Sequence, residues 1–141
     1  AKRKKLTVFS AFYDGADTAA QAGDFVFKTV VPRLKTACPG KPIIITESVL
    51  LLRSSQARRG QKAYTRRSGW PSRGPANGRA IPSIANERKA LMNLNCAAAE
   101  DPSTTIYACE ADDQGWKQND DERSFGMFNK IGLKDEVLES C

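Results

Sequence analysis

The sequence contains no histidine among its 141 residues. This absence excludes nucleophilic sites of the Ser-His-Asp and Cys-His kinds and every metal site with a histidine ligand. Long apolar runs are also missing, because the longest near-apolar stretch, 43–52, is interrupted by polar residues at 46–48. A membrane-spanning helix needs about 20 apolar residues, so no membrane span is predicted. The basic start of the chain, 2–5, is not followed by the apolar stretch that a signal peptide needs.

Cysteine is sparse, and its spacing fits no metal or redox motif. The chain has four cysteines, at positions 38, 96, 109 and 141, and no pair forms a CxxC unit. The spacing therefore predicts no metal site. Four cysteines allow three disulfide pairings, and the sequence does not choose among them. It leaves open both disulfides, which indicate an oxidising compartment, and buried free thiols.

Positive charge is concentrated in one block. The formal net charge is +6, and the block 49–68 alone contains six Lys and Arg residues and no acid. A basic run of this kind binds nucleic acid or anionic surfaces in some proteins and forms a solvated loop in others. The block has one aromatic residue, Tyr64, and no nucleic-acid-binding motif around it, so the solvated loop is favoured and no nucleic-acid partner is expected.

Hydrophobic periodicity predicts an α/β protein with parallel strands. Apolar or β-branched runs predict strands at 6–11, 43–46 and 104–109, and helical spacing predicts helices over 19–38 and 84–96. Pro32 should kink or restart the first helix, and Ser83 is a suitable N-cap for the second. The continuous apolar run at 43–46 is typical of a strand buried on both faces. Strands that alternate with helices favour a parallel sheet with crossover helices.

Acidic and aromatic residues follow each predicted strand. In parallel α/β proteins, functional groups gather at the carboxyl ends of the strands. Tyr13 follows the first strand, Glu47 the second, and Glu110 with the pair Asp112-Asp113 the third. A carboxylate at such an edge is costly unless it is used or paired. Composition alone leaves a salt bridge and a catalytic role open for Glu47.

The two tryptophans are equally open to two interpretations. Trp70 and Trp116 lie in Gly-rich segments near these acids. Each can be a core residue, and each can instead stack on a sugar ring at the mouth of the fold.

Several segments, in the right order, resemble fungal glycoside hydrolase family 17, which comprises cell-wall β-1,3-glucanases and glucan transferases. The likeness covers roughly 6–130 apart from the basic block. The segments that carry it include Thr46-Glu47-Ser48, Gly69-Trp70-Pro71-Ser72, Gly74-Pro75-Ala76-Asn77-Gly78, Trp116-Lys117 and Glu122-Arg123-Ser124-Phe125-Gly126.

The resemblance implies part of a (β/α)8 barrel. A complete barrel typically needs about 250 residues. The match falls on the sixth, seventh and eighth strands, so the chain resembles the carboxyl-terminal portion, the last three β/α units, of the enzyme. We expect one partial domain over 1–141, with 49–68 as a foreign basic insertion between the segments that the family joins directly.

The resemblance also implies a site. Glu47 matches the catalytic nucleophile of a retaining glycosidase, in which two carboxyl groups lie about 5–5.5 Å apart. The acid/base glutamate of the family lies on the fourth strand, which this chain lacks, and neither Glu110 nor Asp113 is its equivalent. No metal or organic cofactor is implied. The residues expected to shape the glucan site are Tyr13, Trp70, Glu110, Asp113, Trp116, Lys117 and Glu122.

Two departures from the family fall in the segment after the third predicted strand. Asp112 stands where the family has an aromatic residue, and Gln114 stands where it has an acid. A third departure is Ser10, where the family usually has histidine.

Three functions remain open. The resemblance favours a secreted or cell-wall β-1,3-glucan hydrolase or transferase, and it leaves open whether this chain is active alone. A second reading is a non-catalytic glucan-binding protein, which self-associates through the open strand edges of an incomplete barrel. A third is a cationic protein that binds anionic polymers through Arg53 to Arg67, with an affinity that falls steeply as salt rises.

Overall fold

The computed structural model describes residues 18–45, 69–129 and 132–133. Several predictions lie outside these residues: the strand at 6–11, the site residues Tyr13 and Glu47, and the basic block 49–68.

A continuous helical stretch over 19–37, named α1 here, confirms the first predicted helix. It consists of a 3-10 turn (Ala19–Gln21), two α-helical parts (Ala22–Asp24 and Val31–Ala37) and a π-helical part between them (Phe25–Val30). Pro32 lies at the start of the last part, directly after the π-helical part, so the hydrogen-bonding pattern changes next to the residue that has no backbone N–H. The helix therefore restarts at the proline, as predicted. It ends before Gly40, whose φ of 68° is a conformation that glycine adopts without strain.

The second helix, α2, spans Ile84–Ala99 and extends three residues beyond the predicted end. Its N-cap is Ser83, as predicted, since the Ser83 hydroxyl accepts a hydrogen bond from the backbone N–H of Asn86 at 3.0 Å. Ala90 and Leu94 belong to the buried core, and α2 packs against the start of α1. Glu87 is also fully buried.

The two main strands are parallel, which confirms the predicted pairing. Strand β1 (Ile43–Ile45) pairs with β2 (Thr104–Ile106), with Ile45 opposite Ile106. Beyond β2, the N–H of Tyr107 donates to the carbonyl of Ile45 at 2.8 Å. Because α2 lies between β1 and β2 in the chain, these elements form a β-α-β unit.

The prediction that β1 is buried on both faces is wrong. Ile43 and Ile45 are buried, whereas Ile44 is 61% exposed. Successive side chains of a strand point to opposite faces of the sheet. The face of Ile43 and Ile45 joins the helices in one core, and the face of Ile44 is open. The core also includes two loop aromatics, Trp70 and Phe125.

The remaining elements are short. Helix α3 spans Asp120–Arg123, and β3 (Phe128–Asn129) pairs antiparallel with β4 (Gly132–Leu133). The Gly- and Pro-rich segment 69–82 is a loop, as predicted, with one isolated bridge between Asn77 and Ala80.

The cysteines combine the two states that the sequence left open. Cys96, on α2, is disulfide-bonded. Cys38 and Cys109 are free thiols, the first exposed and the second buried.

Asp101 ties three elements together at the start of β2. Its carboxylate forms an ion pair with Lys35 of α1 at 2.8 Å. It also accepts hydrogen bonds from the hydroxyls of Ser103, at 2.6 Å, and Thr104, at 2.9 Å. These donors favour the charged form, Lys35 most and Ser103 next, and hold the pKa of Asp101 well below its usual range.

We expect Asp101→Asn to lower the melting temperature at neutral pH and to matter progressively less in acid. A carboxyl whose pKa is depressed in the native state stabilises the fold above its unfolded-state pKa of about 4. That stabilisation is lost as the pH falls through the native-state pKa. Thermal melts followed by circular dichroism from pH 7 to pH 2 measure the difference in melting temperature between the wild type and Asp101→Asn. This difference should narrow below about pH 4.

Asp120→Asn is the control, because the Asp120 carboxylate is exposed and forms a long, 3.8 Å surface pair with Arg123, three residues away. A gap for Asp101→Asn that stays constant down to pH 2 would contradict the prediction.

Candidate active site

The Gly69–Ser72 segment is held in place by contacts with Cys109 and Ser124. A Cβ added to Gly69 would lie 2.1 Å from the carbonyl oxygen of Cys109, so backbone approaches backbone here and only glycine fits. Ser72 donates to the carbonyl of Ser124 twice, from its N–H at 2.8 Å and from its hydroxyl at 3.0 Å. These contacts, named the clamp here, fix the segment on the loop that follows β2 and on the end of α3.

Trp70 is a core residue in this structure. Its side chain is 1% exposed, and its indole N–H donates to the carbonyl of Ile81 at 3.0 Å. Of the two interpretations that the sequence left open, the core one therefore describes Trp70. The ring belongs to the buried core and has no face open to a ligand.

The loop after β2 is threaded against the segment 125–128. The N–H of Glu110 donates to Phe125 at 3.0 Å, and the carbonyl of Glu110 accepts from Met127 at 2.9 Å. Gly126 passes so close that a Cβ would lie 2.1 Å from the backbone nitrogen of Asp113. The peptide bond between Cys109 and Glu110 is cis. This interlocked backbone presents the side chains of 110–117 on a fixed frame.

Lys117 and Glu110 form an ion pair that is largely shielded from water. The ammonium donates to Glu110 Oε1, and the two side chains are 8% and 17% exposed. Arg123 fixes the backbone of Lys117 by donating from Nε to its carbonyl. Charges so placed stabilise each other only while both are present, because removing one leaves the other buried and uncompensated.

Asp113 is engaged through both carboxylate oxygens. Oδ1 accepts from the N–H of Gly126 at 3.0 Å, and Oδ2 pairs with the guanidinium of Arg73 at 3.3 Å. Arg73 Nε also donates to the hydroxyl of Ser124 at 3.3 Å. Arg73 thus extends the clamp to a site carboxylate, a role that sequence reasoning missed although Arg73 directly follows the Gly-Trp-Pro-Ser motif.

Trp116 is the exposed aromatic of the site. Its side chain is 79% exposed, and its indole N–H donates to Gln114 Oε1 at 2.7 Å. The ammonium of Lys117 lies over the ring, 5.6 Å from its centroid, in a cation–π arrangement. This indole is therefore held by its neighbours while most of its surface faces solvent.

Four of the predicted site residues lie on one loop, and the other predicted site residues lie elsewhere. Trp70 lies in the core, and Glu122 lies half-buried on α3, next to Arg123. Tyr13 and Glu47 lie outside the described residues. The four on the loop are Glu110, Asp113, Trp116 and Lys117.

The chemistry available at this loop is that of recognition. Two of its three carboxylates, Glu110 and Asp113, are engaged by cations and a backbone N–H. Its exposed elements are the aromatic face of Trp116 and polar groups that include Asp112. Aromatic faces and hydrogen-bonding side chains suit a ligand with apolar faces and many hydroxyls. Within residues 18–45, 69–129 and 132–133, no group of three or more His, Cys, Asp and Glu residues is placed to hold a metal ion.

We expect Gly69→Ala to destabilise the protein by about 1–3 kcal/mol, because an over-packed side chain forces the backbone apart. The contact would be with a carbonyl oxygen at 2.1 Å, which a rotamer change cannot relieve. Urea unfolding followed by fluorescence measures the change in unfolding free energy.

Gly115→Ala is the matched control. Gly115 lies in the same loop as the site, and a Cβ there meets nothing within 4 Å in the described structure. Equal stability of Gly69→Ala and Gly115→Ala would show that the clamp tolerates separation.

Comparison with known proteins places these observations in a family. No family model matches the chain. A cell surface mannoprotein of Candida albicans is 34% identical over 92 residues, which are 63% of this chain and 19% of that protein. A probable β-glucosidase of Aspergillus clavatus is 36% identical over 110 residues, which are 76% of this chain and 14% of that protein. A probable family 17 glucosidase of Saccharomyces cerevisiae is 28% identical over 124 residues, which are 87% of this chain and 25% of that protein.

Solved structures show a similar backbone fold. A glycoside hydrolase family 17 β-1,3-glucanosyltransferase from Rhizomucor miehei matches 94% of this chain with a TM-score of 0.63 and 21% identity. An active-site mutant of the Rhizomucor miehei β-1,3-glucanosyltransferase, in complex with laminaritriose, matches 94% with a TM-score of 0.66 and 20% identity. In both cases the match covers 41% of the solved chain, so this chain corresponds to less than half of those proteins. The chain is therefore related to the fungal family 17 glycoside hydrolases, of which it matches one portion.

Proposed function

We propose that this chain is the carboxyl-terminal portion of a β-1,3-glucan hydrolase or glucanosyltransferase and that its site binds β-1,3-glucan. The observation that carries the proposal is the exposed indole of Trp116, held beside the shielded Lys117–Glu110 pair on the loop after β2. A sugar ring stacks on such an indole through its apolar C–H face, and its hydroxyls find charged hydrogen-bonding groups at the ring edge.

The same proposal extends to the fold. We assign β1 and β2 to the seventh and eighth strands of a (β/α)8 barrel, and the predicted strand 6–11 to the sixth. The parallel register and the intervening helix α2 support this, and so does Ile44. In a barrel, one face of each strand packs on the helices and the other fills the interior. Ile43 and Ile45 are on the helix side, and Ile44 is on the side that the rest of a barrel would cover.

Glu47 is the proposed nucleophile. It follows Ile45 by two residues, which limits it to about 7 Å of chain beyond the end of β1. Ile45 lies opposite Ile106, so the chain beyond β1 starts at the same sheet edge as the site loop. A retaining mechanism requires a second carboxyl group about 5–5.5 Å from the nucleophile.

The acid/base group of the proposed reaction is not supplied by the site loop. Glu110 is paired with Lys117, and Asp113 with Arg73 and the Gly126 N–H, so both are suited to positioning and binding rather than to donating a proton. By resemblance the acid/base glutamate belongs to the fourth strand, which is not among these 141 residues. The pairing of Glu110 and Asp113 also favours a second candidate function, glucan binding without catalysis.

We assign the protein to the secretory route and the cell wall. One relative is described as a cell surface mannoprotein. The disulfide at Cys96 favours an oxidising compartment. In the described parts of the chain, none of the helices combines the length and the apolar character that crossing a membrane requires.

Laminaritriose should raise the melting temperature. A ligand that binds only the native state stabilises it by RT ln(1 + [L]/Kd), or about 1.4 kcal/mol at ten times Kd, which corresponds to a shift of several degrees. Circular dichroism melts with laminaritriose and with cellotriose, a β-1,4-linked trisaccharide of equal size, measure this shift. No shift with laminaritriose, or the same shift with both sugars, would remove β-1,3-glucan as the ligand.

Glu47→Gln should abolish any hydrolysis or transfer of β-1,3-glucan that the chain performs and leave the laminaritriose-induced shift intact. The amide keeps the shape of the side chain and removes the nucleophile. Release of reducing ends from laminarin measures the reaction, and Glu100→Gln on the surface after α2 is the control. Turnover that persists in the Glu47→Gln protein would assign the nucleophile elsewhere.

Deletion of 49–68 should raise thermal stability. The clamp fixes Gly69–Ser72 through contacts with 109–126, so we expect these contacts to survive the deletion. The shorter connection lowers the entropic cost of closing the loop by about 1–2 kcal/mol. A lower melting temperature after deletion would show that the block is an integral part of the domain.

A further inference from the structure

Gln114 connects the exposed indole of Trp116 to the frame of the site. Its side-chain Oε1 accepts from the Trp116 indole N–H at 2.7 Å, and its Nε2 donates to the carbonyl of Asp112 at 3.0 Å. Its backbone N–H donates to Arg123 at 3.0 Å, and its carbonyl accepts from the N–H of Lys117 at 3.0 Å. All four bonds join groups within or beside the site loop.

The amide is the group that can perform both side-chain functions. A primary amide accepts through its oxygen and donates through its nitrogen, whereas an ionised carboxylate only accepts. An acid at this position would still receive the indole N–H but would leave the Asp112 carbonyl without this donor and would face it with a negative oxygen. The glutamine that departs from the family pattern therefore suits the bridge seen here.

The bridge restricts an otherwise mobile side chain. An indole that is 79% exposed gains little from packing and normally samples several rotamers. Here its N–H edge is fixed by Gln114, and its ring is approached by the ammonium of Lys117. Glu110 accepts from that ammonium, and Arg123 donates to the backbone carbonyl of Lys117. The ring is thus preorganised before a ligand arrives, which lowers the entropic cost of binding.

We propose that Gln114 is a positioning residue that holds Trp116 as the stacking platform for a glucose ring of a β-1,3-glucan. The inference rests on the proposed function and adds to it the residue that orients the platform. Gln114 acts through Trp116 and does not itself contact the sugar.

Gln114→Met tests the inference, because methionine keeps the length of the side chain and removes both the acceptor and the donor. The chain has two tryptophans, so a ¹⁵N-labelled sample gives two indole N–H signals, which Trp116→Phe assigns. We expect the Trp116 signal to shift and its exchange with water to accelerate, while the Trp70 signal stays in place. Laminaritriose titrated into the same sample should show a dissociation constant about three- to tenfold higher, the loss of one hydrogen bond.

Two further variants sharpen the test. Gln118→Met makes the same change at an exposed position four residues along the loop and should leave both the signal and the affinity unchanged. Gln114→Glu retains the acceptor for the indole and should restore part of the affinity that Gln114→Met loses.

The outcomes separate this inference from the proposed function. If the dissociation constant of Gln114→Met lies within twofold of the wild-type value, or if the Trp116 signal does not move, the role of Gln114 is overturned while glucan binding stands. Equal affinity in Trp116→Phe, Trp116→Ala and the wild type overturns the platform itself. No binding of laminaritriose by the wild type, even with the Trp116 signal shifted in Gln114→Met, overturns both the glucan assignment and the platform.

Discussion

The clamp between Gly69–Ser72 and the segment 109–126 is the constraint on which the rest of the site depends. Two backbones meet at a distance that excludes any Cβ at Gly69, and Ser72 then fixes the contact with two hydrogen bonds to Ser124. The segment 125–128 positions Glu110 through backbone hydrogen bonds with Phe125 and Met127. It positions Asp113 through the N–H of Gly126. One close approach thus determines where the buried indole, the ion pair and the exposed indole lie.

This arrangement gives Trp70 contacts that do not involve the basic block preceding it in the sequence. By resemblance to family 17, the twenty residues between Ser48 and Gly69 are an insertion ahead of the motif that contains Trp70. In the structure, Trp70 is located by tertiary contacts, with its indole bonded to Ile81 and its neighbours bonded to Ser124 and packed on Cys109. The position of the motif therefore does not depend on the length of the chain that leads into it.

The distribution of exposed and buried groups divides the proposed enzyme into a part that recognises and a part that reacts. The site loop after β2 contributes an open aromatic face and two carboxylates, Glu110 and Asp113, that are already paired, which suits sugar recognition. The open face of β1, marked by Ile44, is on the side that the remainder of a barrel would cover in the proposed fold. Recognition is thus built from local loop contacts, whereas the proposed reaction needs a second carboxyl group about 5–5.5 Å from the nucleophile.

Local sequence determined the elements whose causes are local. Ser83 marked the start of α2 because its hydroxyl caps the third residue that follows. Pro32 marked the restart within α1 because proline has no backbone N–H to continue the hydrogen-bond pattern. The alternation of strands and helices predicted the parallel pairing of β1 and β2, since a crossover helix brings strands back in the same direction. The motifs around Trp70 and Trp116 indicated the family and the loop that carries the site.

Tertiary structure decided what depends on neighbours distant in sequence. The run Ile43-Ile44-Ile45 is apolar throughout, and only the assembled sheet leaves Ile44 exposed while its neighbours are buried. The two tryptophans lie in similar Gly-containing segments. Only the packing of the folded chain buries Trp70 in the core and leaves Trp116 on the surface. Arg73, Ser124 and Gln114 gained their roles through partners that folding brings to them, because a hydrogen bond or an ion pair is a property of two positions, and the sequence alone does not state their distance.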